Sequence, residues 1–457
     1  MSLEPLDKME KPKNNVPLLF FGIMIVFLVC AFLFLVMIYE REQPRITMIS
    51  DISRFGLSKD VSVEVNDNKS GIRSIEIVLF QDNKRAPVFQ KVFPRQGYFT
   101  GVGPRQSIEN FTVHTSSLGL REGVAELVVT VTDFSWWNWM AGNVVVDKFP
   151  IIVDTKPPKI NLKDSPHYIK AGSAGLVIYK ISEPVVKHGV LINDYFNPGF
   201  PLADKGDGVY GATIGLPFDL ERLEKTYVMA VDEAGNESKA AFGMTLRVNR
   251  KVTDRIDISD GFLASKLPEF ELYYPELTGA PLEQYLKVNN DIRQLNYKKV
   301  QEVCMKSLPD RLWEGRFNRM ARSSRRAGFA DYRSYFYQGK KIDQQVHLGV
   351  DLASVRHAKV EAANRGMVVF AEYLGIYGNT VILDHGQGVF SLYSHLGQID
   401  VAINDRVEKG AVLGLTGNTG MAGGDHLHFS MLINGVFVNP VEWWDAQWLK
   451  INFLNYL

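Results

Sequence analysis

The stretch that decides the reading is His347-Leu348-Gly349-Val350-Asp351, answered farther along by Tyr393-Ser394-His395-Leu396 and by Asp425-His426-Leu427-His428-Phe429. Six of the nine histidines fall between His347 and His428. The runs between them, Asn379-Thr380-Val381-Ile382-Leu383 and Val389-Phe390-Ser391-Leu392-Tyr393, are rich in β-branched and aromatic residues and argue for a sheet. In a strand, residues i and i+2 share a face, so His426 and His428 can enter one groove while Leu427 and Phe429 turn toward a core. Imidazoles gathered beside a carboxylate suggest a metal. Zinc takes nitrogen and oxygen donors, and a catalytic site keeps three protein ligands plus an open position, a count that two histidines and one Asp satisfy. Such a set leaves net positive charge at the metal, which polarises a carbonyl and lowers the pKa of water.

Other metal and nucleotide signatures are missing. Only Cys30 and Cys304 occur, which excludes a disulfide scaffold and a Cys-based zinc ribbon. There is no His-Glu-x-x-His helix, so a Glu base of that kind is not expected. Gly417, Gly420, Gly423 and Gly424 lack the Gly-Lys-Ser/Thr ending of a phosphate loop and read as a groove wall along which a peptide can approach. His357 and His385 adjoin polar or turn residues and are expected to be rim or structural.

Upstream of this region the segment 251–326 reads as a helical connector, with Leu282, Tyr285, Leu286, Ile292, Leu295, Val300, Val303 and Cys304 at three- and four-residue intervals or their multiples. Pro281 suits a first turn and Pro309 a stop. Cys304 lies on the apolar stripe and should be a packed thiol. The stretch 281–306 would be a spacer, or a lid over the groove.

From Ile46 to Arg250 the pattern is all-β, with period-two runs such as Val61-Ser62-Val63-Glu64-Val65. It repeats: Val131-Thr132-Asp133 leads to Ala141-Gly142-Asn143, and Val231-Asp232-Glu233 runs into Ala234-Gly235-Asn236. The period suits one immunoglobulin-like sandwich in 46–155 and a second in 156–250, joined at Lys156-Pro157-Pro158. The longer connection of the first copy carries Trp136, Trp137 and Trp139, which suit packing, glycan stacking or a seat at lipid headgroups.

At the start of the chain, Val16 to Tyr39 holds 24 residues without a charge, about 36 Å of helix and enough to cross a bilayer. Lys8, Lys11 and Lys13 before it favour residues 1–15 as a cytoplasmic tail, with the bulk of the chain in the periplasm or on the outer face of the cytoplasmic membrane. The 457 residues balance 51 basic against 51 acidic groups, so no long-range attraction to nucleic acid is expected.

Residues from about 327 to 445 resemble the lysostaphin and LytM type of zinc murein endopeptidase. The likeness rests on His347-Leu-Gly-Val-Asp351, Gly378-Asn-Thr-Val381 leading to Asp384-His-Gly386, Tyr393-Ser-His395-Leu396, Gly414-Leu-Thr-Gly417-Asn-Thr-Gly420, and His426-Leu-His428-Phe429 followed by Asn439-Pro440. The resemblance implies zinc held by His347, Asp351 and His428, His395 and His426 as unliganded catalytic histidines, and peptidoglycan peptide as substrate in a groove on an antiparallel sheet. Because a hydrolase held close to the wall needs restraint, an envelope regulator is a further expected partner class. The upstream Phe329-Ala330-Asp331-Tyr332-Arg333 departs from the family's Phe-Gly-x-Arg. The expected whole is mainly β and multidomain: an anchor, two sandwiches, a helical segment, a peptidase domain and a short tail at 446–457. The rival is a catalytically silent wall-binding scaffold or activator of another murein hydrolase, but such relatives lose ligands, and all five positions are present here.

Overall fold

The computed structural model describes residues 16–38, 40–97 and 102–457; the expected tail 1–15 and Tyr39 lie outside them. Val16–Ile38 is helical, with side chains described for residues 20–34. Among the described residues no helix is long and apolar enough to cross a membrane. The chain divides into two compact units, Met1–Lys156 with Glu233–Asn236, and Pro157–Asp232 with Glu237–Leu457.

In the first unit, a three-stranded sheet (Arg45–Met48, Ser58–Asn66, Gln106–His114) and a five-stranded sheet built around Ile72–Gln81 and Gly123–Asp133 enclose one core. Alternation drives it: Val61, Val63 and Val65 point inward between half-exposed Ser62 and Glu64. Trp139 is 99% exposed, and the Arg41 guanidinium lies 4.7 Å over the Trp137 ring.

The second unit begins with two four-stranded sheets over a core that includes Val177, Tyr179, Val190 and Val228. The strand Ala174–Ile181 is almost continuously buried because both of its faces are covered. Val177 and Tyr179 face the partner sheet, while Leu176 and Ile178 join a cluster with Trp313, Val350, Phe429 and Trp443. Polar contacts cross the same seam: Ser173 donates to Glu442 (2.6 Å), and the Asn434 amide donates to Thr213 O (3.0 Å).

A ten-stranded antiparallel sheet dominates the C-terminal part, with Ser324–Ala327, Val350–Ala353, Leu427–Ile433, Val389–Ile399, Asn379–Asp384 and Gly366–Tyr373 as neighbours in that order. The segment expected to be helical is only partly so. Val252–Ile258 is a strand pairing in parallel with Asp331–Tyr337, and helices follow at Asp260–Tyr273, Pro281–Lys287 and Arg293–Val303. Its strand residues Val252, Thr253, Ile256 and Ile258 are β-branched, a composition that favours a pleated ladder over a helix. The apolar stripe of 281–306 packs Val288, Ile292, Val300 and Cys304 against Ile382, Phe390, Leu392 and Leu432 of the sheet. It is a packing layer against the sheet, and Tyr285 and Arg293 of the same stretch line the groove. Cys304 is 1% exposed, and burial pushes its thiol pKa up. The expected tail 446–457 is instead a packed cap. Leu449 and Phe453 are fully buried with Trp313, Phe317 and Trp443, because Trp448, Leu449 and Phe453 meet that aromatic cluster from one side.

Candidate functional site

The sheet register brings the predicted residues together. His347 ends the strand Lys340–His347, the short link Leu348-Gly349 passes the chain from that sheet into the ten-stranded one, and Asp351 lies on Val350–Ala353 directly opposite His428 of Leu427–Ile433. Gly349 is required at that link, since a Cβ there would come within 2.6 Å of the His428 ring and of Ser430 Oγ. On the other side of His428 the cross-strand partner is Ser394. His395 would face away by simple alternation, but its backbone adopts φ 61°, which breaks the alternation. Positive φ at a bulky residue is the kind of strain that functional sites retain. His426 is bridged to Gly417, whose Cβ would collide with Gly397 N at 2.5 Å. That glycine serves the chain's own close packing rather than the approach of a peptide; Gly423, with open space around it, lines the groove.

His347 Nε2, His428 Nδ1 and Asp351 Oδ1 lie 2.9 to 3.0 Å from one another. The tautomers follow from the outer partners. His347 Nδ1–H donates to Gly328 O (2.7 Å). Ser430 Oγ donates to Leu348 O (2.8 Å) and so accepts from His428 Nε2–H (3.0 Å). The inward nitrogens therefore carry lone pairs, and two lone pairs and a carboxylate oxygen converge on one point. Such a buried arrangement is repulsive on its own and is satisfied by a cation, with outer hydrogen bonds that orient both rings. These three residues form a group that could hold a metal ion, which is the fit the donor chemistry requires.

The remaining oxygen of Asp351 accepts from Arg333 Nη2 at 2.7 Å, which leaves Oδ1 for the imidazoles. Burial favours a neutral Asp351, but the field of His347, then its contacts with the surrounding imidazoles, hold its pKa well below the usual carboxylate range. Burial pushes His428 down to about 4, which keeps the ring neutral as a ligand must be.

His395 and His426 stand beside this cluster with ring centroids 4.9 Å apart. His395 Nδ1–H donates to Thr419 O and His426 Nδ1–H to Gly424 O, both at 2.8 Å, so both Nε2 atoms are free of backbone partners. His426 Nε2 is 3.6 Å from Asp351 Oδ1. Burial, then the adjacent imidazoles, holds His395 well below the usual histidine range; burial acts the same way on His426, but its contact with Asp351 prevails and raises it.

The two extra histidines stay out of the group. His385 is fully buried, donates from Nδ1 to Arg365 O and meets Ser391 Oγ, both at 2.7 Å, with burial lowering it to about 4. His357 is half exposed and lies 3.8 Å from Asp425. Arg333 and Ser430 were not foreseen. Ser430 was legible, since it stands two residues beyond His428 on the same strand face; the signal for Arg333 was its place at the end of the segment that departs from Phe-Gly-x-Arg.

A groove on an antiparallel sheet, with two imidazoles and a carboxylate converging beside two further imidazoles, is the layout of a metallopeptidase domain. Residues 345–440 match Peptidase family M23, and this C-terminal segment is an M23 domain. It is 40% identical over 98 residues to the DD-carboxypeptidase/endopeptidase Mpg of Neisseria meningitidis, covering 21% of this chain and 23% of that protein. It is 34% identical over 96 residues to the peptidoglycan DD-endopeptidase ShyA of Vibrio cholerae (21% and 22% covered), and 32% identical over 95 residues to the murein hydrolase activator EnvC of Escherichia coli (21% and 23% covered). The chain thus spans under a quarter of the length of these curated relatives. Among solved structures, the catalytic domain of lysostaphin from Staphylococcus simulans is 25% identical, with TM-score 0.25, 28% of this chain and 96% of that chain covered.

Proposed function

We propose that the chain is a zinc metalloendopeptidase that hydrolyses peptide cross-links of peptidoglycan, with His347, Asp351 and His428 as zinc ligands and His395 and His426 as catalytic histidines. The observation that carries this reading is the convergence of three lone-pair donors within 3.0 Å, each oriented from behind by a hydrogen bond. The peptidoglycan assignment takes its support from the names of the relatives. Zinc held by this set supplies a Lewis acid for the scissile carbonyl and an activated water. The chain's own contribution lies at the Nε2 atoms of His395 and His426. With their Nδ1 protons committed to backbone carbonyls, these atoms take a proton from the nucleophile, hold one against the developing oxyanion and return it to the leaving amine. Arg333 keeps Asp351 in its orientation.

In this reading the uncharged segment 16–39 is a single-pass anchor in the cytoplasmic membrane, and the bulk of the chain lies in the periplasm or on the outer face. Two immunoglobulin-like sandwiches, 46–155 and 156–250, carry the peptidase domain toward the wall, and an envelope regulator restrains it. The resemblance to a murein hydrolase activator supports the rival of a silent partner, but the intact donor set favours the enzyme. The test is digestion of purified peptidoglycan by the full chain in detergent, with zinc or with chelator, and mass spectrometry of the products. New peptide termini at cross-links in the zinc sample are expected; an unchanged muropeptide profile overturns the proposal.

A further inference from the structure

The groove of about 510 Å³ in front of the donor cluster adjoins a second cavity of about 670 Å³, and His347, His428, Arg293 and Arg333 belong to both walls. Each volume falls within the ~300–1,000 Å³ typical of small-ligand sites. The second cavity is basic. Arg293 and Lys298 reach it from the helix Arg293–Val303 and Arg333 from the strand Asp331–Tyr337, while Gln294, Gln301 and Gln345 add amides; no carboxylate is among its lining residues. The groove in front is mixed in charge, with Asp254, Asp257 and Asp351 in its wall beside Arg293, Arg326 and Arg333.

The three cations are short of counter-charge. Arg333 spends Nη2 on Asp351, and its buried Nε has no hydrogen-bond partner. Arg293 donates to the backbone and side-chain oxygens of Asn289, both neutral. Among the described residues Arg293 and Lys298 form no ion pair. Asp343, two residues from Gln345, accepts from Asn289 and Asn290 at 2.6 and 3.0 Å and is not part of the wall. A guanidinium fork beside an ammonium, with amide donors around it, matches a planar anion with two acceptor oxygens.

We propose that this cavity is a carboxylate subsite, taking a free carboxylate of the peptide substrate on one side of the scissile amide, with Arg293 and Lys298 as its counter-charges. The inference rests on the peptidase reading and narrows it to anionic peptides. The carboxylate is either the terminal one or a side-chain one, since both present the same two oxygens.

The test uses the full chain, zinc-loaded in detergent, and one cross-linked peptide in three forms: all carboxylates free, terminal carboxylate amidated, side-chain carboxylate amidated. Amidating the group that occupies the cavity should lower kcat/KM about tenfold or more, mainly through KM, and the form affected identifies the source. Arg293→Gln and the exposed Lys298→Gln should each lower kcat/KM for the free form toward that of the amidated form, with kcat within about twofold and the amidated form unaffected. Calorimetric binding of the same peptides reads the subsite apart from turnover. Tighter binding of the free form, lost in the variants, with no cleavage by the wild type would reject the peptidase reading and keep the subsite. Equal handling of all three peptides by the wild type, or equal losses on all three in the variants, overturns the subsite.

Discussion

Replacing Ser430 by Ala removes a single buried oxygen that carries the orientation of the His428 ring. Ser430 Oγ is fully buried, accepts from His428 Nε2 at 3.0 Å and donates to Leu348 O at 2.8 Å. With alanine, the buried His428 N–H loses its partner, at about 1–3 kcal/mol, and the part-buried Leu348 C=O loses its own at a smaller cost. The loss at Leu348 O weighs on the metal-free and metal-loaded protein alike and appears only in folding stability. The loss at His428 acts on metal affinity, because the ring is no longer held in the tautomer that presents Nδ1. Outer-shell partners of ligating histidines are worth about 10–100-fold in affinity, or about 1.4–2.7 kcal/mol. The assay is competition for zinc against a chromophoric chelator, with Ser391→Ala as the control. Ser391 is equally buried and equally bonded to a histidine, but that histidine is the structural His385. Ser430→Ala should weaken zinc by one to two orders of magnitude while Ser391→Ala costs stability alone. Equal affinities for both variants and the wild type would refute the tautomer argument.

Three further outcomes are expected. His395→Ala and His426→Ala should each retain zinc and lose about 10²–10⁴-fold in peptide cleavage, the range of a general acid or base; loss of zinc from either, by elemental analysis, would make it a ligand. Glu442, which burial pushes up from 4.5 to about 7, holds its proton more tightly folded than unfolded. Its contribution to stability is full below pH 4.5 and is lost as pH rises through about 7; Glu442→Gln, which mimics the protonated form, should therefore gain up to about 3 kcal/mol over the wild type between pH 4 and pH 8 in urea unfolding, and a pH-independent difference would contradict this. Phe453→Ala, opening a cavity beside Trp313 and Trp443, should cost about 3–5 kcal/mol, and a change under about 1 kcal/mol would place the C-terminal helices outside the core.

The peptidase-type site was legible because its histidines and aspartate sit in short motifs that resemble a known family, with strand alternation pairing His426 and His428. The i, i+2 spacing puts His426 and His428 on one strand face, and the motifs that carry the family resemblance single out His347 and Asp351; the register that sets Asp351 opposite His428 is supplied by the sheet. The alternation of Val61, Val63 and Val65 was equally readable, since one face of that strand is buried and the other half exposed. Features that depend on distant partners were not. Val252–Ile258 is a strand only because Asp331–Tyr337 lies alongside it, and local periodicity carries no trace of a parallel partner that far along the chain. The C-terminal residues read as a tail because their apolar positions have no pattern until the aromatic cluster of Trp313, Phe317 and Trp443 is assembled. Arg333 ends the segment that departs from Phe-Gly-x-Arg, but its partner is unreadable until the fold sets its guanidinium against Asp351. His395 breaks its strand's alternation through a backbone torsion that its own residue type does not favour.

The central claim is tested most directly by measuring zinc content and peptidoglycan cleavage side by side in the wild type and in Asp351→Ala. Asp351 contributes one of the three converging donors and is the only carboxylate in that group. The account predicts stoichiometric zinc and release of cross-link peptides by the wild type, and neither in the variant while its circular dichroism is unchanged. Asp351→Ala that keeps stoichiometric zinc, or that releases peptides at the wild-type rate, would contradict it.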